Sequence, residues 1–416
     1  MTKPLSIIVI GAGICGLSSA IWLRRAGHKV TLIDRDHPGA GASYGNAGLL
    51  AGWSMTPINT PGLHKTALKY LLNPKSPLFL QWSSLPRMTP WLWQFLRNAN
   101  AAYLPHMVDG IVGITHGSVD QHRALTRGTR AEHWIAESAF SFVYKSRADY
   151  EADALSWSTR AEHGLTPDII EGPAVQEEEP MLAPHCTFLA QLKDFGHILN
   201  PGAYVADLAR VLEEEGGTYL QAEAQDITLE NGRVTSVITA SGPLPCDRVV
   251  LAAGIWSKPL MAKLGLHVEM IAERGHHLHL KNPSQSPRNP MMIVSGKFAV
   301  TPMSSGLRCA GTVELGDTKN TPNRAALRII GDHVAKSFPD LRFDEAEEWL
   351  GFRPSTPDSL PLIGEIGSTG AYAAFGHQHI GLTAGPKTGR LVAALINGDA
   401  PNMDLSAYDA NRFHRA

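Results

Sequence analysis

The stretch SIIVIGAGICGLSSAIWLRRAGHKVTLIDRD, residues 6–36, carries the strongest fold signal in the chain of 416 residues. It opens with a continuous apolar run, Ser6–Ile10, as expected of a parallel strand that is covered on both faces. Three glycines in the spacing G-x-G-x-x-G follow, and a helical apolar periodicity then runs to Gly27, where the helix should end. A second strand, Lys29–Ile33, leads into Asp34. The stretch therefore predicts a Rossmann-like βαβ unit in an α/β fold.

The glycine turn and the acid after the second strand together predict a dinucleotide site. Gly11 permits the tight turn, Gly13 lets a pyrophosphate approach the backbone, and Gly16 lets helix and strand pack closely. The helix N-terminus adds partial positive charge for a diphosphate. Asp34 can accept the two hydroxyls of an adenosine ribose. The glycine triplet alone would also fit an empty turn, but its position between strand and helix favours a bound dinucleotide.

Two further features favour FAD over NAD. The glycine-rich run RDHPGAGASYGNAGLLAGW, residues 35–53, has no helical period and suits an extended cofactor. Far downstream, CDRVVLAAGIWS, residues 246–257, is an apolar strand that ends in Ala252, Ala253 and Gly254. These small residues permit close approach of a ligand to the backbone.

Composition excludes several classes of protein. Hydrophobic residues make up 44% of the chain, which suits a large core and two domains. The net charge of −2 and the absence of a basic stripe argue against nucleic acid as a partner. The four cysteines are far apart, so reduced buried thiols are favoured over disulfides or a zinc site. No apolar run reaches 18 residues, and the N-terminal run is too short for a signal peptide.

The tryptophan-rich segment FLQWSSLPRMTPWLWQFL, residues 79–96, leaves two interpretations open. Its prolines and its composition favour buried helices, whereas its tryptophans are also compatible with contact at a membrane surface. We therefore predict a cytoplasmic protein, with peripheral contact to the inner face of the plasma membrane as the alternative.

Histidines cluster in two places. His276, His277 and His279 alternate along a predicted strand, but no acid or cysteine stands at a metal-ligand spacing, so no metal is predicted. Near the C-terminus, a strand at residues 371–375, a glycine-rich turn at 376–385 and a helix over 388–395 follow one another. The start of that helix would stabilise an anionic flavin ring, and His377 and His379 in the turn fit either a structural or a chemical role.

The segment WLGFRPSTPDSLPLIG, residues 349–364, holds three prolines and one arginine, Arg353. Prolines lock φ and remove donors, so we predict a stiff irregular loop. A guanidinium on a stiffened segment suggests that Arg353 meets a carboxylate at a fixed place.

The chain resembles the D-amino-acid oxidase/glycine oxidase superfamily of flavoproteins over nearly its whole length, with the greatest likeness to the bacterial D-amino-acid dehydrogenase branch. The segments that carry the resemblance occur in the family's order: GAGICGLSSAIWLRRAGHKVTLIDRD, GASYGNAGLLAGWSMTPINTPGL, VVLAAGIWS, ERGHHLHL, GLRCAGTVEL, WLGFRPSTPDSLPLIG and GHQHIGLTAGPKTGRLVAALING. One departure concerns the substrate pocket: related chains often read Arg-Gly-Tyr-His where this chain has Arg274-Gly275-His276-His277.

The resemblance implies noncovalent FAD in a discontinuous Rossmann-like domain, residues 1–80, 195–268 and 345–416. A mainly antiparallel α+β substrate domain would comprise residues 81–194 and 269–344. The residues expected at FAD are Gly11, Gly13, Ile14, Cys15, Gly16, Asp34, Arg35, Ser43, Asn46, Ala47, Gly48, Leu49, Ala224, Ala253, Gly254, Gly376, His379, Gly381, Leu382 and Thr383.

The implied activity is FAD-dependent oxidative deamination of D-amino acids to 2-oxo acids and ammonia, by hydride transfer from the α-carbon. Arg353 would bind the substrate carboxylate, and His277 or His377 would take the amine proton. A quinone or carrier would accept the electrons. Two alternatives stay open: oxidation of glycine, sarcosine or a cyclic imino acid with oxygen, and a flavin-binding subunit without turnover.

Overall fold

A computed structural model describes residues 3–63 and 78–415. The strands within these residues are β1 (Ser6–Ile10), β2 (Lys29–Asp34), β3 (Leu78–Leu80), β4 (Ile135–Tyr144), β5 (Asp168–Glu171), β6 (Phe188–Ile198), β7 (Thr218–Gln221), β8 (Asp226–Glu230), β9 (Arg233–Thr239), β10 (Gly242–Pro245), β11 (Arg248–Leu251), β12 (Ile271–Lys281), β13 (Met291–Ile293), β14 (Phe298–Met303), β15 (Gly306–Gly316), β16 (Glu345–Ser355), β17 (Leu362–Glu365) and β18 (Ala371–Phe375). The α-helices are α1 (Ile14–Arg25), α2 (Leu85–Asn98), α3 (Leu104–Thr115), α4 (Ser118–Thr126), α5 (Arg147–Ala152), α6 (Ala154–Glu162), α7 (Ala174–Glu178), α8 (Pro201–Glu214), α9 (Ser257–Lys263), α10 (Arg324–Ser337) and α11 (Gly381–Asn397).

A six-stranded sheet in the order β17-β18-β11-β1-β2-β7 forms one half of the molecule. Its strands run parallel except for β17. The predicted βαβ unit is confirmed: β1, α1 and β2 have the expected bounds, and Gly27 follows the helix at a φ of +93°. Helix α11 packs closely on α1. The contact is so close that a Cβ added to Gly389 would lie 2.5 Å from the nitrogen of Ser19. The α/β, Rossmann-like part of the fold is therefore as predicted.

A nine-stranded sheet forms the other half, in the order β16-β12-β15-β14-β13-β4-β6-β5 with β3 beside β15. Its pairings are antiparallel except for β13 with β4 and β15 with β3. The predicted mainly antiparallel α+β part is thus confirmed. Its sheet core is apolar, with Val300, Leu307 and Cys309 fully buried.

Between the two sheets, Asn200-Pro201 predicts the start of a helix, and Asn231-Gly232 predicts a turn in an antiparallel meander. Asn200 caps α8 by accepting the N–H of Ala203 at 3.1 Å. Strands β8, β9 and β10 form a small antiparallel sheet, as the Asn231-Gly232 turn predicted, and these two residues take positive φ values of +51° and +76°. The chain then returns to the six-stranded sheet through β11.

The segment at residues 349–364 is not the irregular loop that its prolines predicted. Strand β16 extends to Ser355, so Arg353 lies on a strand and the loop begins only at Thr356. The reason is its place in the sheet: β16 is the edge strand, where a proline without an N–H is tolerated. On its outer side, Ser355 makes one isolated bridge with His377. The predicted domain boundaries stay a prediction, and sheet membership argues for counting residues 345–355 with the substrate domain.

The C-terminal helix begins earlier than predicted. The glycine-rich stretch at 376–385 is only partly a turn, because α11 starts at Gly381 and contains Pro386. Pro386 has no N–H to give to the carbonyl of Leu382, four residues earlier. His122 supplies the missing donor, since its Nε2 lies 2.9 Å from that carbonyl. A contact from a distant helix therefore completes the first turns of α11.

The tryptophan-rich segment is buried on one side only. In α2, Trp91 and Phe95 are buried and stacked at 4.4 Å, whereas Trp93 of the same helix is 61% exposed. Trp82, in the turn before α2, is 64% exposed. The prediction that residues 79–96 form buried helices therefore agrees with the inner face of α2 and not with its outer face. Among the helices of residues 3–63 and 78–415, none is both long and apolar enough to cross a membrane.

Candidate active site

One cavity of about 880 Å³ extends from the glycine turn after β1 to the edge strand β16. Its lining includes Gly11 and Asp34 at one end and Glu273, Trp349 and Arg353 at the other. A volume of this order suits a cofactor together with a small substrate. The two sheets thus contribute to a single site.

Backbone builds the nucleotide end. Gly11 has a φ of +111°, and a Cβ there would lie 2.6 Å from the carbonyl oxygen of Ala252. A Cβ on Gly16 would overlap the carbonyl oxygen of Gly11. Asp34 accepts the N–H of Ala12 at 2.7 Å. Burial raises the pKa of the Asp34 carboxyl group, and this hydrogen bond partly offsets the rise. The turn therefore requires glycines and leaves room for a ligand against bare backbone, as a dinucleotide phosphate needs.

The loop after β2 is fixed by its own polar side chains. Ser43 Oγ accepts the N–H of Ile14 at 3.0 Å, at the start of α1. Asn46 donates to the Ser43 carbonyl at 2.9 Å and accepts the N–H of Gly48 at 2.8 Å. Thr383 lies behind the cavity and ties this loop to α11, since its hydroxyl donates to the Leu49 carbonyl at 3.2 Å.

His377 lines the cavity, but its ring is engaged. Nε2 is hydrogen-bonded to Thr388 Oγ1 at 2.8 Å, and Nδ1 lies 3.7 Å from Cys15 Sγ. Burial lowers the pKa of His377 to about 3 and raises the pKa of the Cys15 thiol to about 12. Neighbouring His379 contacts Ser54 Oγ at 3.3 Å, and burial lowers its pKa as well. Both imidazoles are therefore neutral near pH 7.

Arg353 lies on the cavity wall next to an acid that the sequence interpretation missed. Its Nη1 donates to Glu273 Oε1 at 2.6 Å, and the Glu273 side chain is only 3% exposed. The guanidinium lies flat against Gly275, where a Cβ would lie 2.6 Å from its Cζ. The sheet has a register shift between Arg274 and His276, so a bulge at Gly275 makes this space.

His277 does not line the cavity. Its Nδ1–H donates to the Gly45 carbonyl at 2.8 Å, and its ring stacks on Trp349 at 5.0 Å. Burial, followed by the charge of Arg308, lowers its pKa to about 3. The position of His277 supports a packing role behind Trp349, and it gives no support to the predicted role as the acceptor of the amine proton.

The cavity brings most of the predicted residues together. Those that line it are Gly11, Gly13, Ile14, Cys15, Asp34, Arg35, Ser43, Asn46, Ala47, Gly48, Leu49, Ala224, Ala253, Gly254, Arg353, Gly376, His377, His379, Gly381 and Leu382. Gly16, His277 and Thr383 contact residues of this lining from outside.

Several lining residues were not predicted from the sequence. Trp53, Ser54, Glu273, Lys297 and Trp349 all face the cavity. Only Glu273 carried a usable signal, as the one acid in the strand sequence IAERGHHLHLK. The four cysteines are free, as predicted, and within the described ranges no three His, Cys, Asp or Glu side chains are grouped to hold a metal.

Comparison with known proteins agrees with this site. The family model described as DAO, FAD dependent oxidoreductase, matches residues 6–395. A D-amino-acid oxidase of Bradyrhizobium diazoefficiens is 35% identical over 421 residues, which cover 99% of this chain and 100% of that protein. A D-amino acid dehydrogenase of Allorhizobium ampelinum is 27% identical, with 98% and 100% covered. The glycine oxidase structure from Geobacillus kaustophilus superposes with a TM-score of 0.75 at 20% identity, covering 99% of both chains, and shows the same fold.

The chain belongs to the DAO family of FAD-dependent oxidoreductases. Its cofactor is FAD, and its chemistry is the FAD-dependent oxidation of an amine or amino acid. The bare glycine turn, the Asp34 carboxylate and the long cavity fit that cofactor.

Proposed function

We propose that this enzyme oxidatively deaminates D-amino acids to 2-oxo acids and ammonia. The observation that carries the proposal is the fixed guanidinium of Arg353 on the cavity wall, held by Glu273 and seated against Gly275. The names of the two curated relatives, a D-amino-acid oxidase and a D-amino acid dehydrogenase, support the D-configuration.

Arg353 would bind the substrate carboxylate. Glu273 engages Nη1, and we propose that the fork of Nε and Nη2 receives the two carboxylate oxygens. Because the guanidinium is already in place, little entropy is lost in orienting the substrate. Bound FAD would supply the hydride acceptor, and Arg353 would hold the α-hydrogen towards it.

We do not assign the amine proton to a histidine. His277 lies outside the cavity lining, and the ring nitrogens of His377 face Thr388 and Cys15. The start of α11 lines the cavity through Gly381 and Leu382. We propose that its backbone N–H groups and helix dipole stabilise negative charge on a bound flavin ring.

We propose a quinone or a protein carrier as electron acceptor, with oxygen as the alternative. The two curated relatives are named differently on this point, one as an oxidase and one as a dehydrogenase. The rate at which oxygen reoxidises the reduced flavin decides between them: reoxidation as fast as turnover with D-alanine, with stoichiometric peroxide, would exclude the carrier, whereas slow reoxidation is expected if a carrier accepts the electrons.

The substrate class is tested anaerobically. The flavin-loaded protein is mixed with D- and L-amino acids, glycine, sarcosine and proline, and bleaching of the flavin absorbance is followed. Bleaching by D-amino acids and not by their L-forms is expected. Bleaching only by sarcosine, glycine or L-proline would overturn the D-amino-acid assignment, and no bleaching would overturn the proposed reaction.

A further inference from the structure

Glu273, which is buried, and Arg353, which is half-buried, form an ion pair inside the cavity. They are register partners on the neighbouring strands β12 and β16, and the sheet places both side chains on one wall. The Oε1–Nη1 distance is 2.6 Å, with the side chains 3% and 26% exposed. An arginine that binds substrate carboxylates is thus neutralised in advance by a carboxylate of the protein.

Neutralisation changes which ligands the arginine can accept. A plain carboxylate would place a second negative charge beside one guanidinium in a largely desolvated site, and an uncompensated buried charge is costly. An amino acid brings a carboxylate and an ammonium together, so its own positive charge restores neutrality. The nearest cation for Glu273 would then be the ammonium of the ligand.

Other titratable groups on this wall do not supply that charge. His276, His377 and His379 all have their pKa lowered mainly by burial, so they are neutral near pH 7. His379 lies in the field of both ion-pair partners, since Glu273 raises its pKa and Arg353 lowers it. Other cations also line the cavity: Arg35 pairs with Asp36 and Lys263 pairs with Asp226. Lys297 is the competing source of compensation.

We propose that Glu273 is a specificity-determining residue, which makes the Arg353 site selective for zwitterionic amino acids over plain carboxylates. The inference rests on the proposed function, because it takes Arg353 as the carboxylate-binding group. It also accounts for product release. Hydride transfer leaves an imino acid that keeps the nitrogen. Hydrolysis with water then gives ammonia and the 2-oxo acid, which lacks the positive charge and should bind the same pair less tightly than the substrate does.

Two ligands of equal shape test the selectivity directly. 2-Aminoisobutyrate and pivalate differ only in an ammonium in place of a methyl group, and neither has an α-hydrogen to be oxidised. Calorimetric titration of the FAD-loaded wild-type protein should show 2-aminoisobutyrate binding at least about tenfold more tightly. Equal or tighter binding of pivalate would overturn the proposal without any variant, and it is also the result expected if Lys297 supplies the compensating charge.

Variants locate the effect at Glu273. In Glu273→Gln, pivalate should bind about tenfold more tightly and the preference for the zwitterion should disappear. Glu273→Asp retains the charge and should retain the preference. Glu347→Gln makes the same change on β16 outside the cavity, where Glu347 pairs with Lys281, and should alter neither affinity. An unchanged affinity ratio in Glu273→Gln would overturn the proposal.

Failure of this inference differs from failure of the proposed function. Reduction of the wild-type flavin by D-alanine, measured anaerobically, tests the reaction alone. D-Alanine reduction combined with equal binding of the two ligands would remove only the role of Glu273. Absence of reduction by every D-amino acid would remove the proposed reaction, whatever the affinity ratio.

Discussion

The guanidinium of Arg353 lies so close to Gly275 that the Cβ of any other residue at position 275 would lie 2.6 Å from Cζ. The bulge between Arg274 and His276 and the pairing of β12 with β16 create this seat. Glycine at this position is therefore a steric requirement of the site.

Gly275→Ala should displace Arg353 from its seat. We expect the KM for D-amino acids to rise roughly tenfold or more, because the fork no longer meets the carboxylate in its fixed geometry, while FAD content is unchanged. Steady-state kinetics and the ratio of flavin to protein absorbance measure both. Gly331→Ala is the matched control, since a Cβ on that glycine of α10 would meet only Leu278 at 3.8 Å. Equal kinetics in the two variants would contradict the prediction.

Arg353→Lys should retain the positive charge and lose the fork. A lysine presents a point charge without bidentate geometry, so we expect KM to rise roughly tenfold to a hundredfold with FAD still bound. The measurement is anaerobic flavin reduction against D-amino acid concentration. Arg324→Lys, at a side chain that is 72% exposed, is the control. Saturation at the wild-type concentration would rule out Arg353 as the carboxylate-binding residue.

Gly16→Ala should abolish FAD binding. A Cβ on Gly16 would overlap the carbonyl oxygen of Gly11, which belongs to the backbone of the turn between β1 and α1. We expect purified protein without flavin and a lower melting temperature, measured by absorbance and thermal unfolding. A variant that retains stoichiometric FAD would show that the turn can open without loss of the site.

His122→Gln should reduce the sensitivity of the protein to acid. Burial lowers the pKa of His122 from 6.5 to about 4. Between these two pH values His122 is protonated in the unfolded chain and neutral in the folded protein. The contribution of His122 to the free energy of unfolding is therefore constant above pH 6.5. It falls by roughly 3 kcal/mol as the pH drops towards 4. Glutamine can still donate to the Leu382 carbonyl but does not titrate. Unfolding midpoints at pH 7.5 and 4.5 measure the effect, and an equal loss in wild type and variant would contradict it.

The sequence predicted those parts of the fold that depend on neighbours along the chain. The turn at Gly11, the cap at Asn200 and the hairpin at Asn231 are local signals, and each is confirmed. The strand that carries Arg353 was missed, because prolines forbid a strand only where both sides must be paired, and edge position is not a local property.

The candidate site shows the same division. Glu273 and Arg353 are 80 residues apart and meet only through the register of β12 and β16. The hydrogen bond from His122 to the Leu382 carbonyl joins residues 260 positions apart in the chain, and no sequence pattern near Pro386 predicts it. The surroundings of His277 were not predicted for a related reason: alternation gives the face of a strand, but not which neighbour, here Trp349, covers the ring.

The two ends of the cavity come from different sheets, and this division makes the scaffold suited to redesign. The dinucleotide end is made of backbone around Gly11, where a Cβ on Gly11 or Gly16 would collide with backbone atoms. The opposite end is made of side chains on β12 and β16, such as Glu273 and Trp349. A library confined to these side chains could change which amines are oxidised while every member keeps its flavin, so that the yellow colour of a colony would report correct folding before any activity is assayed.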